Sequence, residues 1–170
     1  MAGPGSFRRT GTGDAIESFG GSGLLWYAAE AFEDFVLHAE WRITRPEDNS
    51  GVFLRCPPLQ DDPQPAIERG YEVQIDDRGL DPETGRLGSP LHLTGALYRL
   101  APATGRASRP TDAWNAFEIT ARGPLIAVRL NGVEVARLDT ALREPRGHIS
   151  LQNHHEGSAV QFRRLDIIRL

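Results

Sequence analysis

Hydrophobic and polar residues alternate one by one through most of the chain, which predicts β-strands rather than helices. The clearest alternation covers residues 35–43, 71–76 and 114–121. Asn131-Gly132 joins two further alternating segments, and this residue pair supplies the backbone angles that a type I′ hairpin turn requires. No segment keeps a helical period over three turns, and residues 28–34 form one helical turn at most. Many short strands separated by Gly- and Pro-rich turns predict an all-β sandwich or barrel.

The pattern also suggests how the chain is divided. Residues 1–15 are rich in Gly, Ser and Thr and contain little apolar sequence, so we predict a flexible leader there and a single domain over residues 16–170. The remaining predicted strands are 24–27, 52–55, 95–100, 147–152 and 160–168, and the predicted loops include 57–69 and 101–110.

Composition narrows the possible partners. The 170 residues carry a net charge of −4 with mixed signs, which argues against nucleic acid as the main partner. No apolar run is long enough to span a membrane. The N-terminus lacks the apolar core of a signal peptide, so we expect a cytoplasmic chain or one trimmed from a larger or secreted precursor. Cys56 is the only cysteine, which excludes an internal disulfide and favours a buried apolar role.

The segment 71–76 is the strongest sign of chemistry. As a strand it places three apolar side chains on one face and Glu72, Gln74 and Asp76 on the other, with no cation among them. Acceptors gathered in this way hold sugar hydroxyls, move a proton or help to bind a cation.

Other predicted strands also carry polar side chains at alternate positions, and therefore on one face. If these strands share a sheet, their polar sides line one surface; the alternative is an ordinary solvent-facing outer sheet. Arginines among them are either ion-pair partners of the acids or stabilisers of an oxyanion or enolate. The positions are His38, Glu40 and Arg42 on one strand, His148, Ser150 and Gln152 on another, and Arg55 at the end of a third.

The spacing on segment 71–76 does not support an ordinary two-carboxylate glycosidase. Glu72 and Asp76 are about 13 Å apart along a strand. A retaining pair needs about 5–5.5 Å and an inverting pair about 6.5–9.5 Å. Gln74, between them, is neither acid nor nucleophile, so a pair would need Glu40 from a neighbouring strand.

Metal binding has weaker support in the sequence. His154-His155-Glu156 resembles a set of ligands, but adjacent strand residues point to opposite faces and turn residues are usually solvated. Asp76-Asp77 and Asp81 lack the spacing of an EF-hand. We therefore predict no certain cofactor, and a divalent metal held by the acids remains the alternative.

Several segments in the same order resemble the 3-keto-disaccharide hydrolase domain family, and the similarity runs from about Leu24 to Leu170. The segments that carry it are 32–42, 49–55, 70–76, 94–98, Trp114-Asn115, 130–132, 147–152 and 160–163.

This resemblance implies a concanavalin A-like jelly roll of two antiparallel sheets, with a ligand groove on the concave sheet. It also implies action on glycosides already oxidised at C3, so a carbohydrate is the expected partner. We assign catalysis to Glu72, Asp76, Glu40, Arg42 and Arg55, and substrate binding to Asn49, Gln74, Tyr98, His148 and Gln152.

The chemistry of such a substrate fits one carboxylate. A ketone at C3 acidifies the C2 hydrogen, a base removes it, the enolate expels the C1 substituent, and water adds afterwards. We expect Glu72 or Asp76 to be the base, and Arg42, Arg55 or a metal to stabilise the enolate. The alternatives are a lectin-like carbohydrate-binding module without catalysis and a structural or partner-binding sandwich.

Overall fold

Eleven strands and one short helix make up the regular structure in the computed structural model, which describes residues 1–170. The strands are β1 (Ser6–Arg9), β2 (Ile16–Phe19), β3 (Gly23–Trp26), β4 (Phe35–Ile43), β5 (Ser50–Cys56), β6 (Tyr71–Ile75), β7 (Asn115–Arg122), β8 (Leu125–Leu130), β9 (Val133–Leu138), β10 (His148–Asn153) and β11 (Val160–Arg169), and the helix is α1 (Gln64–Arg69). No helix is long and apolar enough to cross a membrane.

The strands form two antiparallel sheets. The large sheet has seven strands in the order β1-β2-β11-β4-β7-β8-β9, and the small sheet has four in the order β3-β10-β5-β6. Late strands lie between early ones in both sheets, because β11 separates β2 from β4 and β10 separates β3 from β5. The structure therefore confirms the predicted all-β sandwich of two antiparallel sheets.

The main core lies between the sheets and follows the alternation of the sequence. Leu37 and Trp41 of β4 are buried there, and Leu54 and Val73 belong to the same cluster. A second, smaller cluster covers part of the other face of the small sheet, where Phe53 packs with Ala66 of α1. The small sheet is thus partly covered on both faces, which is unusual for an antiparallel sheet.

The N-terminal residues differ from the predicted flexible leader. Ser6–Arg9 forms β1 and pairs with β2. Ala2 is fully buried and exchanges two backbone hydrogen bonds with Leu24, of 2.9 and 2.8 Å, at the edge of β3. Backbone pairing and the small side chains of this segment supply the order that its low apolar content did not predict.

Two further segments depart from the prediction. Helix α1 lies within the predicted loop 57–69, and it is short. Residues 95–100 contain only isolated bridges, of Leu97 with Val73 and with Ala101, rather than a regular strand. The segment still bonds to β6, because the Gln74 N–H donates to Ala96 O at 3.0 Å and the Tyr98 N–H donates to Glu72 O at 2.9 Å. The loop after β6 therefore covers the edge that β6 would otherwise expose.

Candidate functional site

The outer face of the small sheet carries the candidate site. Paired residues share a face, and the register sets Glu72 opposite Phe53 and Gln74 opposite Gly51. On the other side of β6, the backbone bonds to the 95–100 segment place Tyr98 opposite Glu72. These side chains point away from the main core because they alternate with Tyr71, Val73 and Ile75, which belong to it.

Glu72 is the central carboxyl group of this face. Burial raises its pKa from 4.5 to about 8, and the amide of Gln152, which donates to the carboxylate, opposes that shift without cancelling it. No arginine or lysine forms a salt bridge with Glu72. A carboxyl group with a pKa near neutral pH is suited to proton transfer.

Gly51 makes room for the Glu72 side chain. A Cβ added at Gly51 would overlap the Glu72 carboxylate and lie 2.8 Å from its Cγ. Glu72 therefore lies across β5 at Gly51 and reaches Gln152 on β10. Any larger residue at this position would push the carboxylate away from Gln152.

A chain of polar side chains extends from Gln74 along the same face. Gln74 Nε2 donates to Asn49 Oδ1 at 3.4 Å, and Asn49 Nδ2 donates to Asp76 Oδ2 at 3.4 Å. Asp76 is fully buried, and its oxygens also accept from the backbone N–H groups of Arg78 and Leu80 at 2.9 and 3.0 Å. Asp76 thus fixes the turn after β6 and holds Asn49, and it is not free to act on a substrate.

Three buried polar atoms on this face and in the loop that borders it have no hydrogen-bond partner. They are Gln74 Oε1, Gln152 Oε1 and His92 Nε2. Gln74 and His92 are only 3% and 6% exposed. Buried polar atoms without partners carry a free-energy cost, and two amide oxygens call for hydrogen-bond donors such as sugar hydroxyls.

Tyr98, His92 and Arg99 form the wall beside Glu72. The rings of Tyr98 and His92 meet edge to face at 5.0 Å between centroids. The guanidinium of Arg99 lies 5.4 Å from the Tyr98 ring centroid. Burial raises the pKa of the Tyr98 hydroxyl, and the nearby Glu72 adds to that rise, so Tyr98 remains a neutral hydrogen-bond donor. We call Glu72, Gln74, His92, Tyr98 and Gln152 the Glu72 pocket.

Comparison with known proteins identifies the family. Residues 6–168 match the model of the 3-keto-alpha-glucoside-1,2-lyase-like domain. The chain belongs to this family. A comparison with curated proteins found no match to the chain.

Solved structures show the same fold as this lyase-like domain. A Parabacteroides distasonis protein proposed to be a glycosyl hydrolase is 23% identical, with a TM-score of 0.80 over 98% of this chain and 94% of its own. A second such protein from that organism is 18% identical, with a TM-score of 0.74 over 92% of this chain and 81% of its own. Carbohydrate-binding module CBM66 from Bacillus subtilis is 12% identical, with a TM-score of 0.66 over 96% and 91%. The chain thus has a jelly-roll fold like that of these proteins.

The structure of this lyase-like domain does not bring Glu40 and Arg42 to the Glu72 pocket. Both lie on β4 and alternate with core residues, so they face outward from the large sheet. Glu40 accepts hydrogen bonds from Arg163 Nε at 2.6 Å and from Arg164 at 3.1 Å. Arg42 donates to Gln161 Oε1 at 2.7 Å. The prediction that they share a site with Glu72 is wrong, because two sheets and the core lie between.

Alternation along β5 also predicts the wrong orientation for the Arg55 side chain. It has a φ of 52°, and the register between β5 and β10 shifts at this point, so its side chain turns away from the face of Phe53. Arg55 is fully buried and donates to Glu33 O at 2.7 Å and to Gly123 O at 2.9 Å. It ties loops together at one end of the sandwich and does not reach Glu72.

His148 lies on the face of the Glu72 pocket, but at its far end. Its Nδ1 is 2.9 Å from Tyr27 O, and its ring meets Trp26 edge to face at 5.0 Å. Glu72 lies at the opposite edge of the small sheet, on β6, whereas Trp26 is on β3. His148 therefore belongs to the edge of the face rather than to the pocket.

No three His, Cys, Asp or Glu side chains lie together as a metal-binding group. His154 and His155 contact each other through their Nδ1 atoms at 2.8 Å. Burial, followed by the neighbouring His155, lowers the pKa of His154. The pair lies at the end of β10 beside the Asp76 turn, outside the Glu72 pocket.

Three residues of the candidate site are missing from the sequence interpretation. His92 lies in the loop after β6, where no periodicity marks it. Arg99, at a φ of 60°, follows Tyr98 in a segment that was expected to be a plain strand. Gly51 lies just before the predicted strand 52–55, and only the structure shows that the Glu72 side chain packs against it.

Proposed function

We propose that the Glu72 pocket catalyses the elimination of the C1 substituent from glycosides whose C3 carries a ketone. The Glu72 carboxylate removes the C2 hydrogen, and the electrons form an enolate that ends on the C3 oxygen. The enolate then restores the ketone, forms a C1–C2 double bond and expels the C1 oxygen. The proton held by Glu72 can pass to the departing oxygen, and water can add to the double bond afterwards.

The position of Glu72 is the observation that carries this proposal: its carboxylate lies over Gly51 and beside Tyr98 without an ion-pair partner, and burial raises its pKa. A base with a pKa of about 8 takes a proton far more readily than an exposed carboxylate does, and it is still partly ionised at neutral pH. The route needs one carboxylate, which suits a pocket where Gln74 and Asn49 are the polar neighbours along the strands.

Hydrogen-bond donors beside Glu72 support the enolate. The Tyr98 hydroxyl and the unpartnered His92 Nε2 lie on the wall of the pocket, and the Arg99 guanidinium lies behind Tyr98. The guanidinium of Arg99 is paired with Glu83 at 2.8 Å. Because developing negative charge gains most from donors placed in advance, the Tyr98 hydroxyl and His92 Nε2 take the role expected of Arg42 and Arg55 from the sequence. The amide oxygens of Gln74 and Gln152 would accept from the sugar hydroxyls.

The test compares an oxidised and an unoxidised substrate. A 3-keto-glucoside and the matching glucoside are incubated with the protein, and the released C1 alcohol is measured. We expect release from the 3-keto compound alone, with the unsaturated keto sugar or its hydrated product. Release from both compounds, or none from either, would contradict the proposed reaction.

A lectin-like module is the second candidate, and the unpartnered acceptors favour it equally. A pocket with two free amide oxygens can hold hydroxyls without changing them, and CBM66 shares the fold. Calorimetry with the 3-keto-glucoside separates the two functions. Saturable binding without product, lost in Gln74→Ala, would identify a binding module.

A further inference from the structure

The two ring nitrogens of His92 have different surroundings. Nδ1 lies 2.7 Å from the hydroxyl oxygen of Ser89, whereas Nε2 is buried and has no hydrogen-bond partner. His92 is only 6% exposed, and its ring meets the Tyr98 ring edge to face. Ser89 is therefore the one side chain that forms a hydrogen bond with the His92 ring.

The backbone fixes Ser89 beside His92. The Ser89 N–H donates to Gly79 O at 3.0 Å, and the His92 N–H donates to Ser89 O at 3.0 Å. The turn from Ser89 to His92 is also held from outside, because the Ala103 N–H donates to Pro90 O at 2.8 Å. The Ser89 hydroxyl consequently has a defined position relative to the His92 ring.

The contact with Ser89 determines which nitrogen of the ring carries the hydrogen. A neutral imidazole has one N–H and one bare nitrogen, and the hydrogen bond of one nitrogen sets the state of the other. The Ser89 hydroxyl has no second hydrogen-bond partner in the structure. It therefore donates to Nδ1, which leaves the hydrogen on Nε2. The reverse arrangement would leave the hydroxyl hydrogen without an acceptor from the protein.

We propose that Ser89 is a positioning residue, which holds the His92 ring so that Nε2–H is presented as a donor at the wall of the Glu72 pocket. The inference rests on the proposed function, in which this donor stabilises the enolate. A donor serves that purpose only when it is in place before the charge develops. A bare Nε2 would instead turn its lone pair toward the enolate oxygen and repel it.

Nitrogen-15 NMR of the histidine rings tests the tautomer without any reaction. At alkaline pH, where histidine rings are neutral, the N–H and the bare nitrogen of a ring give well-separated resonances. The resonances of His92 are assigned with His92→Gln. We expect hydrogen on Nε2 in the unchanged chain and a mixture of both tautomers in Ser89→Ala. Hydrogen on Nδ1 in the unchanged chain would overturn the proposal.

Steady-state kinetics with a 3-keto-glucoside measures the consequence for the reaction. Ser89→Ala should lower kcat about tenfold, the lower end of what the loss of an orienting partner costs at metal-bound histidines. KM should change little, because the enolate forms only after the sugar has bound. Ser89→Thr keeps a hydroxyl and should retain kcat within about twofold of the unchanged chain. Equal losses in the alanine and threonine variants would mean that Ser89 acts through packing, against the proposal.

Ser108→Ala is the matched control. Ser108 is half-buried, as Ser89 is, and its hydroxyl donates to Asp77 Oδ1 at 2.7 Å, outside the Glu72 pocket. The substitution removes the same atom and a hydrogen bond of the same length, so kcat and the His92 tautomer should stay unchanged. An equal loss of kcat in Ser108→Ala, or an unchanged tautomer in Ser89→Ala, would overturn the proposal. If the unchanged chain does not act on the 3-keto-glucoside, the proposed function fails, and the nitrogen spectra still decide whether Ser89 sets the tautomer.

Discussion

Glu72 and Glu40 occupy equivalent positions on the two sheets, yet their surroundings are opposite. Each lies within a strand and points away from the core. Glu40 accepts hydrogen bonds from two arginines, whereas Glu72 has only the Gln152 amide beside it. Burial raises the pKa of Glu72 to about 8. The pKa and the reactivity of a carboxylate on a strand therefore depend on its ion-pair partners and on how far it is buried.

The two faces differ because only one of them is covered. On the large sheet, Arg42, Gln161 and Glu17 form a hydrogen-bonded row whose members satisfy each other. On the small sheet, α1 and the loop after β6 close over the strands, and polar atoms remain without partners. A satisfied open face is typical of solvent exposure, whereas a covered and unsatisfied face points to a ligand.

The largest effect should come from removing the two carboxylates one at a time. Glu72→Gln should lower turnover of a 3-keto-glucoside by about 10²–10⁴-fold, the usual contribution of a general base. Glu40→Gln should change it by less than about twofold, because Glu40 faces the other side of the sandwich. Steady-state kinetics with circular dichroism as the folding control gives both numbers. Equal losses in the two variants would remove the distinction between the faces.

A substitution that moves the Glu72 carboxylate but keeps the residue should have the next largest effect on activity. Gly51→Ala forces the carboxylate away from Gln152, so we expect kcat/KM to fall about tenfold or more, in line with the cost of a misplaced catalytic group. Gly105→Ala is the matched control, since a Cβ there would meet no atom within 4 Å. Full activity in Gly51→Ala would show that the position of Glu72 over β5 does not matter.

The pH dependence should follow the raised pKa of Glu72. Activity depends on the ionised carboxylate, so kcat/KM should rise about tenfold per pH unit below a pKa of about 8 and level off above it. A profile that levels off near pH 5 would mean that another group acts as the base.

The free energy of unfolding should also depend on the raised pKa of Glu72, but it should fall with increasing pH where the activity rises. Between pH 4.5 and about 8 the folded chain holds a proton on Glu72 that the unfolded chain has lost. The free energy of unfolding should therefore fall by up to about 1.4 kcal/mol per pH unit as pH rises through this window. Denaturant unfolding of the unchanged chain and of Glu72→Gln measures this: the difference between the two should grow toward pH 8 and be small near pH 4.

The smallest effect belongs to the ion pairs of Glu40. Surface salt bridges contribute about 0–1 kcal/mol, so Glu40→Gln should lower the free energy of unfolding by no more than that. The loss should shrink in high salt, because screening weakens the pairs with Arg163 and Arg164. A loss that salt does not change would mean that Glu40 acts through packing instead.

The sequence predicted the sandwich and four of the five residues of the Glu72 pocket, all except His92. Strict alternation along residues 71–76 correctly predicts that the Glu72 and Gln74 side chains lie on the same face of the strand. Alternation shows only which side chains of one strand share a face, however. It does not show which sheet the strand joins, so it could not predict that Arg42 faces outward from the other sheet. The positive φ at Arg55 and the loop that brings His92 to the pocket depend on tertiary packing, which leaves no periodic mark.

The most direct test is a titration of individual carboxyl groups. Carbon-13 NMR of the Glu side-chain carboxyls, assigned with Glu72→Gln and Glu40→Gln, follows each group from pH 3 to pH 10. The Glu72 resonance should titrate near pH 8 and shift when a 3-keto-glucoside is added, whereas the Glu40 resonance should not respond to the sugar. A Glu72 midpoint close to its ordinary 4.5, unmoved by the sugar, would contradict the assignment of the pocket.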